Sequence, residues 1–351
     1  MALEYDGVMS DELPVGKRAS VYDVAQRAGI SIATVSRALN QPHRLSDETR
    51  QRVLAAIAEL NYVPDGEAAA RARSSQTRIA VVSPQHTYPG FAARLRGIIV
   101  ALEETEAEVI VFHVDVNKLR ERQQYKYFDS LAASGRYDAM IIMSLPLQGQ
   151  YLKRLYDTKF PTVLIETEDD QFPSIQVDHQ YGAELATQHL VDNGHRKIGF
   201  LGFYNIQNYA LDASALRLKG FRKVLEENNI KVEDKYIYNS AYGIESAYDT
   251  IKFAWKKGDR PDAIFCASDL NALGVMKAAK ELGIRVPEDL AIVGFDDIDM
   301  AGYMELSTIR QPMEDTGRVA AELVQNLLKK SQAPTRKIIL DLSLQERKSS
   351  R

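Results

Sequence analysis

From Arg78 onward, short apolar runs alternate with amphipathic stretches of helical periodicity. Amphipathic stretches include FAARLRGIIVALEE and ASALRLKGFRKVLEE. The apolar runs have the length and composition of buried strands: RIAVVSP, VIVFHV, YDAMIIM, PTVLIE, SIQVDH, KIGFLGF, AIFCAS, LAIVGFD and KIILDLS. Alternating strands and helices are typical of parallel sheets with helices on both faces. Because roughly 270 residues are enough for two such units, the sequence predicts an α/β body of two doubly wound, parallel-sheet lobes.

Polar and aromatic side chains follow several of these strands. In parallel sheets, the loops at the carboxyl ends of the strands form the crevice that binds ligands. Carboxylate and guanidinium groups bind pairs of hydroxyls, and aromatic rings cover the apolar face of a sugar, so these side chains suit a polyhydroxylated ligand. The candidates are Gln85, His86, Thr87, Tyr88, Phe91, Ser144, Leu145, Asp178, Arg217, Tyr242, Ser268, Asp269, Asp296, Asp297 and Gln311.

Some of these positions have a purely structural alternative. Asp269 can be a helix cap, and Asp178 and Asp297 can serve the fold alone. The same two readings are open for His86, whereas His195, in NGHRKIG, is interpreted as a residue that leads into a strand. The sequence alone leaves these alternatives open.

Residues 19–64 have a different pattern, that of three short helices. In VYDVAQRAGISIATVSRALN, apolar residues at helical spacing lie on both sides of Gly29, which permits a tight turn. Ser20 and Ser31 are placed to cap the first two helices, and Ser46 caps a third, in LSDETRQRVLAAIAELNYVP. Three such helices can bury a small core while the outer face of the second stays free.

The outer face of the second helix has the chemistry that reads duplex DNA. Ile32 and Ala33 are short enough for close approach to a major groove. Arg37 can donate two hydrogen bonds to a guanine. Ser31 and Thr34 can donate to phosphates. This face therefore predicts a helix that binds in the major groove.

Charge is unevenly distributed along the chain. The formal net charge is −4 overall, whereas residues 17–78 carry ten basic and six acidic side chains. The first 16 residues carry four acids and no base. Residues 1–18 are expected to be a disordered extension. A basic head on a mildly acidic body indicates a polyanionic partner for the head alone.

The head resembles the helix-turn-helix domain of the lactose/galactose repressor family. The segment VYDVAQRAGISIATVSRALN follows the family pattern D-V-A-x-x-A-G-[IV]-S-x-x-T-V-S-R-x-L-N closely. The resemblance continues through RIAVVSP, GAELATQHLVDNGHRKIGFLG, RLKGFRKVL, the long segment from PDAIFCASD to IVGFDDID, and LSTIRQP. It covers all but the first 18 or so residues. It implies a periplasmic-binding-protein-like body, with two lobes joined by three crossovers and a ligand cleft between them.

The resemblance also implies roles for individual residues of the head. In the family, the second helix enters the major groove, and two heads bind a near-palindromic operator. Ile32, Ala33 and Arg37 are then expected to read bases, and Ser31 and Thr34 to hold phosphates or base edges. The other expected DNA contacts are Ser20, Tyr22, Asn40 and Arg44.

In the body, the resemblance implies effector contacts. They are most direct for Arg217, Tyr242, Ser268, Asp296 and Gln311. Tyr88 and Phe91 are assigned more loosely, because this chain has Y-P-G-F where the family often has N-P-F-F. The remaining candidates for the effector site are His86, Ser144 and Asp178.

The linker, residues 65–77 (DGEAAARARSSQT), departs from the family pattern P-N-x-x-A-R-x-L. In the family, the leucine of that pattern wedges between base pairs in the minor groove and kinks the duplex. Here the wedge position falls at Arg71 or Ala72. Because alanine is too small to unstack bases, we expect a weaker kink, with Arg71 or Arg73 reaching into the narrow groove.

These patterns divide the chain into segments. They are a disordered extension (1–18), a helix-turn-helix domain (19–64), a hinge linker (65–77) and an effector-binding and dimerisation domain (78–351). Within that domain, lobe 1 is expected at about 78–178 and 308–335, and lobe 2 at about 179–307 and 336–347.

The sequence favours a transcriptional regulator over two other classes. A solute-binding protein of a transporter would explain the body, but neither the head nor the acidic start, which lacks the pattern of a secretory signal. An enzyme is not favoured, because G-x-S-x-G, P-loop, G-x-G-x-x-G and H-E-x-x-H patterns do not occur. The lone Cys266, without clustered histidines, predicts no metal site, and no cofactor is expected.

We therefore expect a cytoplasmic repressor that pairs as a homodimer on operator DNA, with a tetramer as an alternative. No stretch approaches the length of a membrane span. A small molecule, expected to be a carbohydrate, would shift the lobes and so decide whether the linker helices form. Induction is commoner in the family, whereas corepression and control by a phosphorylated partner protein stay open.

Overall fold

The structure is a computed structural model of the whole chain. It describes residues 21–40, 45–60, 76–84, 88–115, 128, 130–132, 134, 136–147, 155–203, 211–256, 258–329 and 337–351. The chain divides between Ser75 and Gln76 into two compact units, here called the head and the body. The predictions for residues 1–18, for the linker residues Arg71, Arg73 and Ala72, and for Ser20, Arg44 and His86 lie outside the described residues.

The described residues of the head form three helices, α1 (Val21–Ala28), α2 (Ile32–Asn40) and α3 (Asp47–Glu59). The turn between α1 and α2 is possible because Gly29 adopts a φ of +63°, a region that favours glycine. The buried core is made of small apolar side chains from all three helices: Val24, Ala25, Ala28, Val35, Val53 and Ala56. The predicted three-helix pattern is thus found, with the apolar faces turned inward.

Side-chain hydrogen bonds close the helix ends of the head. The Ser31 hydroxyl accepts a hydrogen bond from the amide of Thr34 at 3.2 Å, and that of Ser46 accepts one from the amide of Thr49 at 3.3 Å. Across the core, the Arg52 guanidinium donates to the carbonyl of Ala28 at 2.7 Å. These bonds satisfy groups that the helix ends leave without an intrahelical partner.

The body alternates strands and helices. Its strands are β1 (Arg78–Ser83), β2 (Glu108–His113), β3 (Ala139–Met143), β4 (Thr162–Ile165), β5 (Ser174–Val177), β6 (Ile198–Phe203), β7 (Ile237–Ser240), β8 (Ala263–Cys266), β9 (Ala291–Asp296), β10 (Ser307–Arg310), β11 (Lys337–Leu340) and β12 (Ser343–Gln345). Its helices are α4 (Pro89–Leu102), α5 (His179–Asp192), α6 (Ala213–Glu227), α7 (Ile244–Trp255), α8 (Asp269–Glu281), α9 (Asp299–Tyr303) and α10 (Met313–Leu328).

The strands form two six-stranded sheets. The first has the order β11-β5-β4-β3-β1-β2 and the second the order β12-β10-β9-β8-β6-β7. Neighbouring strands run parallel throughout except for β10 and β12, which are antiparallel. Strands β3, β4, β8 and β9 are buried along their whole length, as expected where helices cover both faces. The predicted architecture of two doubly wound, parallel-sheet lobes is confirmed.

The lobes exchange chain segments in a way that differs from the predicted boundaries. Strand β10, expected in lobe 1, belongs to the second sheet, and β11, expected in lobe 2, lies beside β5 in the first. The run KIILDLS, predicted as one strand, is split into β11 and β12 by a crossing at Asp341 and Leu342. Local composition does not show which sheet edge a strand joins, because strand pairing is a tertiary contact. For the same reason β7, which is short, was missed as a strand.

Helices α4 and α10 pack very closely in the first lobe. A Cβ added at Gly317 would collide with the main chain of Arg94, and one added at Gly97 would collide with the main chain of Glu314. Two glycines therefore allow main chains to touch where any side chain would separate them. This contact fixes the helix that carries Arg94, a residue of the cavity described below.

Candidate functional site

The outer face of α2 is open in the structure. Ser31, Ile32, Ala33 and Arg37 are exposed, whereas Val35, on the opposite face, is fully buried in the head's core. Tyr22, on α1, is also exposed, Thr34 is half-buried, and Asn40 is the last residue of α2. The hydroxyls of Ser31 and Thr34 lie 2.9 Å apart at the start of the helix. The exposed surface thus combines two short apolar side chains with one long base.

A cavity of about 220 Å³ lies between the two lobes of the body. The first lobe contributes Tyr88, Gly90, Phe91, Arg94, Ser144, Glu166 and Met313, and the second contributes His179, Phe203, Leu211, Asp212, Ala213, Arg217, Ala241, Tyr242, Asp296 and Gln311. Both lobes supply charged groups as well as apolar surface. Because the walls come from both lobes, the shape of the cavity depends on how the lobes lie against each other.

Most of the predicted effector residues meet at this cavity. Those that line it are Tyr88, Phe91, Ser144, Arg217, Tyr242, Asp296 and Gln311. Ser144, Asp296 and Gln311 each lie at or just beyond the carboxyl end of a strand, as expected for parallel sheets. Arg217 reaches the cavity from α6, and Tyr242 from the loop between β7 and α7.

Two predicted effector residues do not line the cavity. The carboxylate of Asp178 accepts a hydrogen bond from the amide of Tyr181 at 2.9 Å and caps α5. The hydroxyl of Ser268 accepts one from the amide of Asn271 at 3.1 Å and caps α8. Both side chains have a structural role, because a strand that leads into a helix needs a short polar side chain to satisfy the first free amides, and effector contact at these two positions stays a prediction.

The other two acids with structural alternatives, Asp269 and Asp297, also have partners within the fold. Asp269 is the first residue of α8 and not its cap; its carboxylate accepts hydrogen bonds from Thr308 at 2.5 Å and from the amide of Ile298 at 2.9 Å. Asp297 forms an ion pair with Arg347 at 2.7 Å. These acids hold neighbouring segments together behind the cavity wall.

Four charged or titratable residues of the cavity were not predicted from the sequence: the exposed Asp212 and three buried ones. Glu166 follows β4, His179 begins α5, and Arg94 lies on α4, and each is at least nine-tenths buried. The rule that selected Asp296 also applies to Glu166, because both stand at the carboxyl end of a strand. It applies to His179 as well, which closes the predicted strand SIQVDH. Arg94 carries no comparable signal, since it reaches the cavity from the middle of a helix.

Glu166, His179 and Arg217 form a hydrogen-bonded chain across the two lobes. The Arg217 Nη2 atom lies 3.1 Å from His179 Nδ1, and His179 Nε2 lies 2.8 Å from Glu166 Oε2. A guanidinium has only protons to donate, so Nδ1 must accept. The imidazole Nε2 is therefore the atom that donates to the Glu166 carboxylate.

The environment of these groups perturbs their acidity. Burial raises the pKa of Glu166, but the hydrogen bond from His179 and the attraction of Arg94 and Arg217 outweigh it and leave this pKa below its usual value. Burial lowers the pKa of Arg217, and the nearby charge of Asp296 opposes that shift. Burial likewise raises the pKa of Asp296 against the attraction of Arg217. Charges that are buried this deeply depend on one another for compensation.

Asp296 has a specific position between its neighbours. One carboxylate oxygen accepts a hydrogen bond from the Gln311 amide at 2.5 Å and lies 3.8 Å from Arg217 Nη2. The φ of Asp296 is +130°, in the region that favours glycine. The Arg217 guanidinium also donates to the carbonyl of Ala267 and lies over the Phe295 ring at 3.6 Å. A strained backbone at a cavity wall is common at ligand sites.

Aromatic rings form another wall of the cavity. Tyr88, from the first lobe, stacks on Tyr242, from the second, with centroids 4.9 Å apart and planes 23° from parallel. Phe203 meets the Tyr242 ring edge-on, with centroids 5.3 Å apart. Burial raises the pKa of the Tyr242 phenol well above its usual value, so the phenol is neutral. The cavity therefore combines buried charges with ring surfaces.

Comparisons with known proteins agree with both parts of the chain. Residues 20–65 match the family described as bacterial regulatory proteins, lacI family, and residues 187–350 match a periplasmic binding protein-like domain. The chain is 30% identical over 336 residues to the HTH-type transcriptional repressor PurR of Photobacterium profundum, which covers 94% of this chain and 98% of that protein. The chain belongs to the lacI family of bacterial regulatory proteins.

Other relatives have the same organisation. Catabolite control protein A of Priestia megaterium is 29% identical over 338 residues, which cover 95% of this chain and 99% of that protein. A lac repressor dimer bound to operator and the anti-inducer ONPF has a TM-score of 0.68 at 29% identity, over 95% of this chain and 99% of that one. A complex of the regulator CelR with cellobiose has a TM-score of 0.67 at 26% identity, over 95% and 100% of the two chains.

This membership confirms the predicted class of function. The protein is a DNA-binding transcriptional regulator with an effector-binding body, and its relatives are regulators and not enzymes. Within the described ranges, no helix is long and apolar enough to cross a membrane. Among those same residues, no group of three or more His, Cys, Asp or Glu side chains could hold a metal ion.

Proposed function

We propose that the protein is a repressor that binds a near-palindromic operator as a homodimer, and that a small carbohydrate in the interlobe cavity changes its affinity for that operator. The observation that carries the proposal is the cavity itself, whose walls come from both lobes and combine buried charges with aromatic rings. Such walls suit hydroxyl groups on one side of a ligand and its apolar face on the other. The CelR relative, solved with cellobiose, supports a sugar as ligand.

The exposed face of α2 supports the assignment of base contacts. Ile32, Ala33 and Arg37 are proposed to read bases, because their side chains are open to a duplex while Val35 holds the helix to the core. Ser31 and Thr34 are proposed to reach phosphates from the start of the same helix, and Tyr22 and Asn40 are proposed to contact the backbone or flanking bases. For Ser20, Arg44, Arg71 and Ala72, DNA contact stays a prediction from the sequence.

Within the cavity, buried polar groups are proposed to hold the effector's hydroxyls. One connected polar cluster is formed by Arg217, Asp296 and Gln311. Because these side chains hold one another in position, a ligand that contacts one of them finds the other two already oriented. Tyr88, Phe91 and Tyr242 are proposed to cover an apolar face of the ligand, with Ser144 at the first lobe's wall.

Pairing of two chains is supported by apolar side chains that are exposed in the single chain. Ile99 and Val100 are exposed on α4, and Met300, Tyr303 and Met304 are exposed on or next to α9. Apolar residues that lie together at a surface often mark an interface between proteins. We propose that a second copy of the chain buries them, and a lac repressor relative was solved as a dimer. A tetramer remains the alternative.

The proposed switch follows from a cavity with walls in two lobes. A ligand that binds one lobe arrangement more tightly shifts the protein toward that arrangement. A difference of about 1–3 kcal/mol between the two arrangements changes operator affinity by roughly 5- to 150-fold. Induction and corepression differ only in which arrangement the ligand prefers, and control by a partner protein would act on the same equilibrium.

The DNA-binding part of the proposal is tested by selecting duplexes from a random library with the full chain. We expect a shared, two-fold symmetric half-site. Arg37→Ala should lower the affinity for that site by about 1–3 kcal/mol and relax the preference at one base pair. The matched control Arg50→Ala removes an equally exposed base from α3 and should leave the preference intact. Equal affinity of Arg37→Ala and the parent protein for every duplex would contradict the proposal.

The effector part is tested by thermal shift over a panel of sugars, sugar phosphates and nucleobases. We expect a sugar to raise the melting temperature of the native protein and to change its affinity for the selected operator. Arg217→Met should abolish that shift, because the guanidinium joins the polar cluster of the cavity. A hit that keeps its full shift in Arg217→Met would place the effector elsewhere.

A further inference from the structure

The buried charges of the cavity balance one another. Arg94 lies 3.5 Å from Glu166 and Arg217 lies 3.8 Å from Asp296, and all four side chains are at least nine-tenths buried. Arg94 and Arg217 thus supply two positive groups, and Glu166 and Asp296 supply two negative groups. Asp212, which is exposed and also lines the cavity, adds a negative charge. The described walls therefore offer no positive surplus to an anionic ligand.

Sites for phosphate groups are usually built from arginine, lysine or a run of main-chain amides. Both arginines among the described residues of the cavity, Arg94 and Arg217, already lie beside a carboxylate.

Three buried atoms of the cavity residues also restrict what a ligand must bring. Arg94 Nε, Arg217 Nε and Glu166 Oε1 have no hydrogen-bond partner among the described residues. The two nitrogens need acceptors, whereas the carboxylate oxygen needs a donor. A hydroxyl group can serve both, because it accepts and donates. A phosphate dianion offers acceptors only and would place its charge beside that of Glu166.

Glu166 is held in its orientation by the chain of hydrogen bonds from Arg217 through His179. The imidazole proton binds Oε2 at 2.8 Å, which leaves Oε1 as the atom without a hydrogen-bond partner. The carboxylate cannot easily turn away from an anion, since turning would break the bond to His179. A buried polar group without a partner costs free energy, so the site favours ligands that supply a donor at that atom.

We propose that the cavity takes an uncharged, hydroxyl-rich sugar and rejects its phosphorylated form, and that Glu166, positioned by His179, is the residue that makes this distinction. The inference rests on the proposed function, because it concerns the ligand of the same cavity. Within it, Glu166 Oε1 accepts a hydrogen bond from a sugar hydroxyl. His179 is a positioning residue, since it acts on the ligand through Glu166.

The test compares matched ligand pairs on the full chain by isothermal titration calorimetry and thermal shift. The pairs are glucose and glucose 6-phosphate, galactose and galactose 6-phosphate, and cellobiose and cellobiose 6-phosphate. We expect at least one neutral sugar to bind and its phosphorylated form to bind at least about tenfold more weakly. Glu166→Gln should weaken the neutral sugar and reduce the ratio between the two forms, because the amide oxygen can still accept from His179 while the negative charge is gone.

A matched control distinguishes the loss of a negative charge in the cavity from the loss of a negative charge elsewhere on the protein. Glu168→Gln removes the same charge two residues along the chain, from an exposed side chain that pairs with Lys337, and should leave the ratio unchanged. The melting temperature without ligand shows that each variant is folded. His179→Leu should lower the affinity for the neutral sugar as well, since Glu166 then loses the bond that orients it.

Several outcomes would overturn the inference. They are a sugar phosphate that binds the native protein more tightly than its parent sugar, a ratio that Glu166→Gln leaves unchanged, and a panel in which no neutral sugar binds. Binding of the selected operator, measured in the same samples, distinguishes a failure of this inference from a failure of the proposed regulator function. If a sugar phosphate or another ligand changes operator affinity, the inference about charge fails while the proposed regulator function stands.

Discussion

Replacing Arg217 with methionine should destabilise the body strongly, because the change leaves a buried acid without its charged partner. The Arg217 side chain is only 3% exposed. Its loss removes an ion pair with Asp296, a donor to His179 Nδ1 and a donor to the carbonyl of Ala267. Methionine keeps most of the apolar contact with Phe295. Removing one member of a buried pair typically costs about 3–5 kcal/mol.

The loss of unfolding free energy in Arg217→Met can be measured as a shift of the melting temperature. At about 2–4 °C per kcal/mol for a large domain, the melting temperature should fall by on the order of 10 °C. The chain has one tryptophan, Trp255, which is buried on α7 in the second lobe, so its fluorescence in urea reports unfolding of the body. Arg222→Met, an exposed position on the same helix as Arg217, serves as the control and should change stability by less than about 0.5 kcal/mol.

A double-mutant cycle tests the cause. Asp296→Asn removes the charge that Arg217 leaves behind, so the double variant should be less destabilised than the sum of the two single variants by about 1–3 kcal/mol. If the free energies of unfolding add within about 0.5 kcal/mol, the two side chains are not coupled and the argument from buried charge is refuted. A loss below about 1 kcal/mol in Arg217→Met alone would refute it as well.

Three further predictions concern packing, pH and the aromatic wall. Gly317→Ala should destabilise the first lobe by about 1–3 kcal/mol or more, because its Cβ would meet the main chain of Arg94. The control is Gly302→Ala, where an added Cβ meets nothing within 4 Å. Equal urea midpoints of unfolding for the two variants would contradict the packing argument. Burial and the charge of Asp296 raise the pKa of Asp269 to about 7, so the folded protein holds this proton more tightly than the unfolded chain does, and stability should decline as the pH rises from about 4 to about 7. For one group, the free energy of unfolding changes by at most about 1.4 kcal/mol per pH unit. This dependence on pH, measured from urea midpoints between about pH 4 and 7, should be weaker in Asp269→Asn. The same dependence in Asp269→Asn and the native protein would exclude Asp269 as the cause. Tyr88→Leu removes the stack on Tyr242 and should weaken a bound sugar by about 0.5–1.5 kcal/mol in calorimetry, while operator affinity without ligand stays the same; an unchanged sugar affinity would count against the ring contact.

Much of the fold could be predicted from the sequence, because its signals are local. The helices of the head follow from apolar residues at helical spacing around Gly29, and the strands of the body follow from short apolar runs. The carboxyl-end rule for parallel strands correctly located Asp296 and Gln311 at the cavity. The same rule also selected Asp178 and Ser268, which cap helices, because strand-to-helix junctions need capping side chains as often as ligands do.

The sequence by itself determined the type of protein: a three-helix head with a groove-reading face, followed by two parallel-sheet lobes. Periodicity, caps and the family pattern are properties of neighbouring residues, so they are legible in the chain. Only the tertiary structure decided which sheet β11 joins and how Glu166, His179 and Arg217 connect. Glu166 belongs to the first lobe and the other two to the second. Their distances, and the charge balance that follows from them, exist only after the chain has crossed between the lobes and buried them together.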